Sequence, residues 1–141
     1  MRKKDQPKLW LCLYLPNLAL EVFYPSGPKQ PPNDGLKPIA IIQQQRIEAL
    51  SYHAAATGLR VGTMASHAYA LCENLTCIEK SAAKERRALA QIAQWLYEFT
   101  PNVCPYGDQH LILEVSSSLK LFSGLNHLKY LIEEKTTRLG Y

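Results

Sequence analysis

The chain has 141 residues, 47% of them hydrophobic and 20% charged, with a formal net charge of +4. This is a globular composition, which excludes a disordered chain, and it fits one modest domain or part of a larger one. No apolar run approaches the ~18–20 residues of a membrane span, and so mild a basic excess permits contact with nucleic acid without requiring it.

The first 20 residues, MRKKDQPKLWLCLYLPNLAL, have a basic tip and an apolar stretch. Pro16 and Asn17 interrupt the stretch and no small-residue cleavage site follows, so a strand is expected rather than a secretory signal, in a cytoplasmic protein with no membrane contact. Residues 1–8 read as a solvated lead-in that includes Arg2, Lys3 and Lys4. From Leu9 to Leu15, leucine occupies every second position, the pattern of a strand with Trp10, Cys12 and Tyr14 on its second face. Pro16 suits the first turn of a helix expected over 16–24, and prolines and glycines make 25–37 a loop.

Strands are expected at 38–42 and 46–51, joined by a turn at Gln43–Gln45. A short helix, Tyr52–Thr57, stops at Gly58, and 59–62 is a connector. A helix over 64–73 carries Met64, Ala68, Leu71 and Cys72 on one face, and 76–78 is a small strand. Ser81 is the expected N-cap of a long helix, 82–99, whose apolar face comprises Ala82, Leu89, Ile92, Ala93, Leu96 and Phe99. Pro101 ends it. Val103–Tyr106 and Gln109–Val115 form a hairpin turning at Gly107–Asp108. The last helix, 125–139, turns Leu128, Leu131, Ile132 and Leu139 inward.

The stretch 108–124, DQHLILEVSSSLKLFSG, is the most informative. Period 2 puts Leu111, Leu113 and Val115 on one face and His110, Ile112, Glu114 and Ser116 on the other. His110 and Glu114 are four positions apart on a strand, about 13 Å, too far to share one ion. Ser116–Ser118 read as turn residues ending the strand. Cys12, Cys72, Cys77 and Cys104 form no C-x-x-C and have no zinc spacing with histidine, so buried free thiols are expected. His53, His67 and His127 have no partner pattern.

LEVSSSLKLFSGL resembles the LDVTGSxRLFGG stretch of Y-family (translesion) DNA polymerase palms, and its S-L-x-L-F-x-G form is most like that of ImuB-type proteins. The resemblance runs in order over most of the chain from Leu9. LCLYLPNLALEVF stands where the palm's opening strand and steric-gate helix belong. In the fingers-like stretch, Ser51, Tyr52, Ala54, Gly58, Leu59, Gly62, Met64, Leu71, Cys72 and Leu75 fit S/N-Y-x-A-R-x-x-G-V/I-x-x-G-M followed by L-C-P-x-L. The fold class implied is α+β: an incomplete palm at 1–35 and 81–141, with a small mixed or antiparallel sheet and helices on one face, and a small α/β fingers insertion at 36–80. The chain is expected to be part of a longer protein.

Departures from the family pattern bear on function. Nucleotidyl transfer needs two divalent metals about 4 Å apart, held by carboxylates. Where the family has the first carboxylate, this chain has Tyr14; where it has an adjacent Asp-Glu pair, this chain has Gln109 and His110. The arginine of Y-x-A-R, a triphosphate contact in the family, is Ala55, and the steric-gate region falls at Leu18–Leu20. Tyr52 and Arg60 remain as candidate nucleotide or DNA contacts. The resemblance implies a catalytically inactive scaffold of DNA damage tolerance and induced mutagenesis, with no cofactor. Its implied partners are primer–template DNA, an error-prone replicative-type polymerase, an ImuA-type protein and the sliding clamp, with the clamp motif outside these residues. Two alternatives stay open: an active polymerase using Mg²⁺ on Asp108, Glu114 and Glu21, and a small α/β interaction module unrelated to DNA.

Overall fold

The computed structural model describes residues 7–24 and 37–141. The chain divides into two compact units, one of Met1–Leu15 with Arg86–Leu139, the other of Pro16–Glu85 with Gly140–Tyr141. These compact units meet at 15/16 and 85/86, whereas the palm-like and fingers-like segments expected from the sequence divide at 35/36 and 80/81. The expected loop at 25–37 and the lead-in at 1–8 lie largely outside the described residues.

In the first unit, β1 (Trp10–Tyr14), β6 (His110–Glu114) and β5 (Val103–Tyr106) form an antiparallel sheet in the order β1-β6-β5. Alternation decides its faces. Leu111, Leu113 and Val115 are fully buried, while Trp10, Cys12 and Tyr14 are exposed on the opposite side. The unit's two helices contribute the rest of its core. They are α4 (Ala82–Leu96), from Arg86 onward, and α5 (Leu125–Arg138), and they bury Leu89, Ile92, Leu96, Leu128 and Ile132.

Polar anchors fix the unit's joints. Thr100, just past α4, donates its hydroxyl to the carbonyl of Glu114 at 2.6 Å. Ser118 donates to the carbonyl of Phe99 at 2.6 Å, and Ser116 accepts from the backbone N–H of Leu9 at 2.7 Å. Phe122 packs tilted on Phe99 with centroids 5.3 Å apart. The serine-rich stretch after β6 thus ties together β1, β6 and the end of α4, a larger role than ending a strand.

In the second unit, β2 (Ile39–Gln43) is central to a second three-stranded sheet, antiparallel to β3 (Arg46–Leu50) and parallel to β4 (Thr76–Glu79). The β2–β3 turn uses positive φ at Gln44 and Gln45, the backbone of a two-residue hairpin, here without the usual Asn-Gly. α1 (Leu18–Glu21) packs against both strands through Ala19, Leu20 and Ile41, which is why it goes with this unit. It is shorter than the 16–24 expected, because Asn17 supplies the cap position and Pro16 precedes it. α2 (Tyr52–Ala56) and α3 (Ala65–Leu71) cover the sheet in a cluster of Ala40, Ile47, Ala54, Leu59, Ala68 and Cys72.

Three expected apolar faces are corrected. On α3 the buried positions are Ala65 and Ala68, followed by Cys72, while Leu71 is 63% and Met64 43% exposed. On α4, Ala82 is exposed and Glu85 buried, with Lys80 4.0 Å from its carboxylate. On α5, Thr136 is buried, bonding its own helix at the Ile132 carbonyl, while Leu131 and Leu139 are half-buried. Of the four cysteines, all free, only Cys72 is buried and Cys12 and Cys104 are exposed. Among the described residues no helix is long and apolar enough to cross a membrane.

Candidate functional site

Tyr14, Gln109 and His110 come together at one end of the first unit's sheet. Leu15 N–H donates to the Gln109 carbonyl at 2.9 Å and Val115 N–H to that of Leu9 at 2.9 Å. Odd-numbered residues of β1 thereby take the hydrogen-bonded positions. Tyr14 and His110 face each other in a non-hydrogen-bonded pair, where side chains approach more closely. Their rings stack, with centroids 4.7 Å apart and planes 14° from parallel. On the other flank His110 pairs with Tyr106 of β5.

Only Tyr14 and His110, a phenol and an imidazole, share a face; Gln109, an amide, is adjacent along the strand and belongs to the other face. A pair of hard divalent cations requires several anionic oxygens in near-octahedral geometry, and this donor set does not fit. Of the open alternative, Asp108 and Glu114 belong to the first unit and Glu21 to the second. Among the described residues no three His, Cys, Asp or Glu side chains are grouped so as to hold a metal ion.

Glu114 has a different use. Its carboxylate accepts from Ser116 N–H at 2.9 Å and from the Asn102 amide at 3.4 Å. The Ser116 hydroxyl and N–H hold its pKa below the usual carboxylate range. Burial opposes that shift, and Asn102 and the charge of Lys8 add to it. It therefore serves as an internal anchor, although the sequence places it on the same strand face as His110.

In the second unit, an open depression of about 560 Å³ is lined by Pro16, Asn17, Ala55, Leu59, Arg60 and Val61, among others. The connector carrying Arg60 is pinned along β3. Gly62 N–H donates to the Ile47 carbonyl at 2.8 Å and Ile47 N–H to that of Thr63 at 2.9 Å. Arg46 reaches the Gly62 carbonyl at 2.9 Å. Arg60 is exposed, beside Glu48 in the same lining. Tyr52 opens α2, is 52% exposed, meets the His53 ring edge-on at 5.9 Å, and is not part of the lining. The structure thus brings Arg60 and Ala55 to one concavity and leaves Tyr52 outside it. Leu18, Ala19 and Leu20 are packed in the interior, at most 4% exposed.

The residues that sequence reasoning missed are Ser116, Ser118 and Thr100. Their signal was available: three hydroxyls within a few positions of chain-reversing segments, each with a backbone group to satisfy.

Comparison with known proteins is consistent with this architecture. The model of the impB/mucB/samB family matches residues 34–140. No curated protein matches the chain. Among solved structures, it is similar to a ternary complex of Dbh with partially disordered substrates, at TM-score 0.66 and 13% identity over 92% of this chain. It is also similar to an insertion ternary complex of Dbh DNA polymerase, at TM-score 0.67 and 12% identity over 94% of this chain. The chain spans 38% and 39% of the length of those two chains.

Proposed function

Because the chain belongs to the impB/mucB/samB family, we propose that it is the palm-and-fingers-like part of a Y-family-derived scaffold. In this reading it holds primer–template DNA during translesion synthesis and does not itself join nucleotides. One observation carries the reading: the end of the β1–β6 pair presents a stacked Tyr14–His110 pair beside Gln109, where nucleotidyl transfer would need a carboxylate cluster. The fold of the two Dbh complexes, each a polymerase structure, supports the DNA-handling half of the proposal.

The finer assignment is to the ImuB type, acting in the cytoplasm in damage-induced mutagenesis. It rests on the S-L-x-L-F-x-G form of residues 118–124. With it come the proposed partners: an error-prone replicative-type polymerase, an ImuA-type protein and the sliding clamp. Magnesium has no part in this role.

Primer extension by the full-length protein, with Mg²⁺ or Mn²⁺, tests the proposal. The expected result is DNA binding without incorporation. Templated incorporation that disappears on Gln109→Ala or His110→Ala would overturn it.

A further inference from the structure

From Ala88 to Tyr97 the chain reads ALAQIAQWLY, a run without a charge. All but its last residue lie in α4. Leu89, Ile92 and Leu96 point into the core, yet Ala90, Gln91, Gln94, Trp95 and Tyr97 are exposed. The solvent face of a helix ordinarily carries charged side chains. A face that lacks them and bears large aromatics has the composition found at the centre of a protein–protein interface.

Beside Trp95, the end of α4 and the adjoining face of α5 enclose an open depression of about 320 Å³. Its apolar lining is Trp95, Phe99, Phe122, Leu131 and Leu139. Phe99 is buried, while Phe122, Leu131 and Leu139 are half-buried. Lys135 stands over the Trp95 ring at 5.2 Å, and the rest of the indole, 52% exposed, is left in solvent. Trp95 is thus a knob at the rim of a hole, and both belong to the first unit. An isologous contact needs a knob and a hole on one patch, because a two-fold axis delivers each copy's knob to the other's hole.

The charges around the depression point to the same occupant. Two acids, Glu98 and Glu134, and two bases, Lys135 and Arg138, line it. They pair as Glu98 with Lys135 and Glu134 with Arg138. The set is neutral, so it has no net attraction for a polyanion. A surface carrying the same alternation of signs can re-pair with it, and a second copy brings that surface by symmetry.

We propose that the α4–α5 face is a self-association surface. Two copies of the chain pair on it about a two-fold axis, each seating its Trp95 in the depression of the other. The uncharged stretch of α4 forms the centre of the contact and the acid–base pairs form its rim. This goes beyond the DNA-handling reading above and does not draw on it.

Sedimentation equilibrium of the full chain, without DNA, over a concentration series tests the proposal. The expected result is a monomer–dimer equilibrium with no larger species. In a Trp10→Phe background Trp95 is the one tryptophan left, and its emission should move to the blue as the dimer forms. Trp95→Ala should weaken dimerisation about thirtyfold, the loss typical of a buried aromatic anchor. Gln91→Glu changes an exposed side chain that the fold does not need. It should also weaken the dimer, by setting two like charges in the centre of the contact. A chain that stays monomeric throughout would overturn the assignment and leave the face to a different protein or to further residues of a longer polypeptide. A dimer indifferent to both variants would also overturn it, as would open-ended assembly, which a two-fold contact cannot give.

Discussion

The hydroxyl of Thr100 bridges two backbone groups: it donates to the Glu114 carbonyl at 2.6 Å and accepts from Asn102 N–H at 3.2 Å. Thr100 is 2% exposed and its bond to the Glu114 carbonyl is buried, so that carbonyl has no water as a ready substitute. Thr100→Val keeps the shape and removes both bonds. Leaving buried polar groups unsatisfied costs about 1–3 kcal/mol each. The variant should lower the urea midpoint by that order without changing the denaturant slope, and an unchanged midpoint would contradict the role given to this residue.

Ser51 has a comparable position in the second unit. Its hydroxyl caps α2, accepting from Ala54 N–H at 3.3 Å, and also accepts from Ile39 N–H at 3.0 Å at the start of β2. Ser51→Ala should destabilise by about 1–2 kcal/mol, measured by thermal unfolding. Ser51→Asp, which restores a capping oxygen, should recover part of the loss.

Gly58 ends the turn after α2 with φ +92°, and a Cβ there would meet nothing within 4 Å. The cost of Gly58→Ala is therefore conformational rather than steric crowding by neighbours, about 1–2 kcal/mol. Gly58→Asn should cost less, since asparagine tolerates the left-handed region better. Equal losses for the two variants would argue against this cause.

For Glu114, whose pKa is lowered by Ser116, burial notwithstanding, folding favours the ionised carboxylate. Its contribution is complete above the unfolded-state value, about 4. It disappears as pH falls through the lower folded-state value. Glu114→Gln should thus melt below the wild type at pH 7, with the gap closing on acidification below about pH 4. A gap that persists undiminished at pH 3 would show that packing, not ionisation, accounts for the residue.

Much of this fold was legible because its strands are short and strongly alternating. The leucine repeat before Pro16 and the Leu111–Leu113–Val115 series each admit one choice of inward face. α3 was misread because hydrophobic size was taken as the guide. Its contact with the sheet is made by Ala68 and by Cys72 just past its end, small residues that let helix and sheet approach closely, and Leu71 is turned away. The burial of Glu85 was not legible either, since no local pattern indicates that Lys80 stands beside it. At the candidate site, the grouping of Tyr14 with Gln109 and His110 follows from strand register alone. The concavity containing Ala55 and Arg60 depends on tertiary placement of the 59–63 connector, which local sequence does not encode.

The hydrogen bond from Leu9 to Ser116 spans 107 residues of chain. On a ribosome elongating at about 5–20 residues per second, β1 waits roughly 5–20 s for its partner strand. Trp-Leu-Cys-Leu-Tyr passes that interval as an unpaired, uncharged ribbon while the intervening unit acquires its own sheet. Holdase chaperones that capture extended apolar segments are therefore expected to engage the nascent chain at this strand and to release it once β6 has left the exit tunnel.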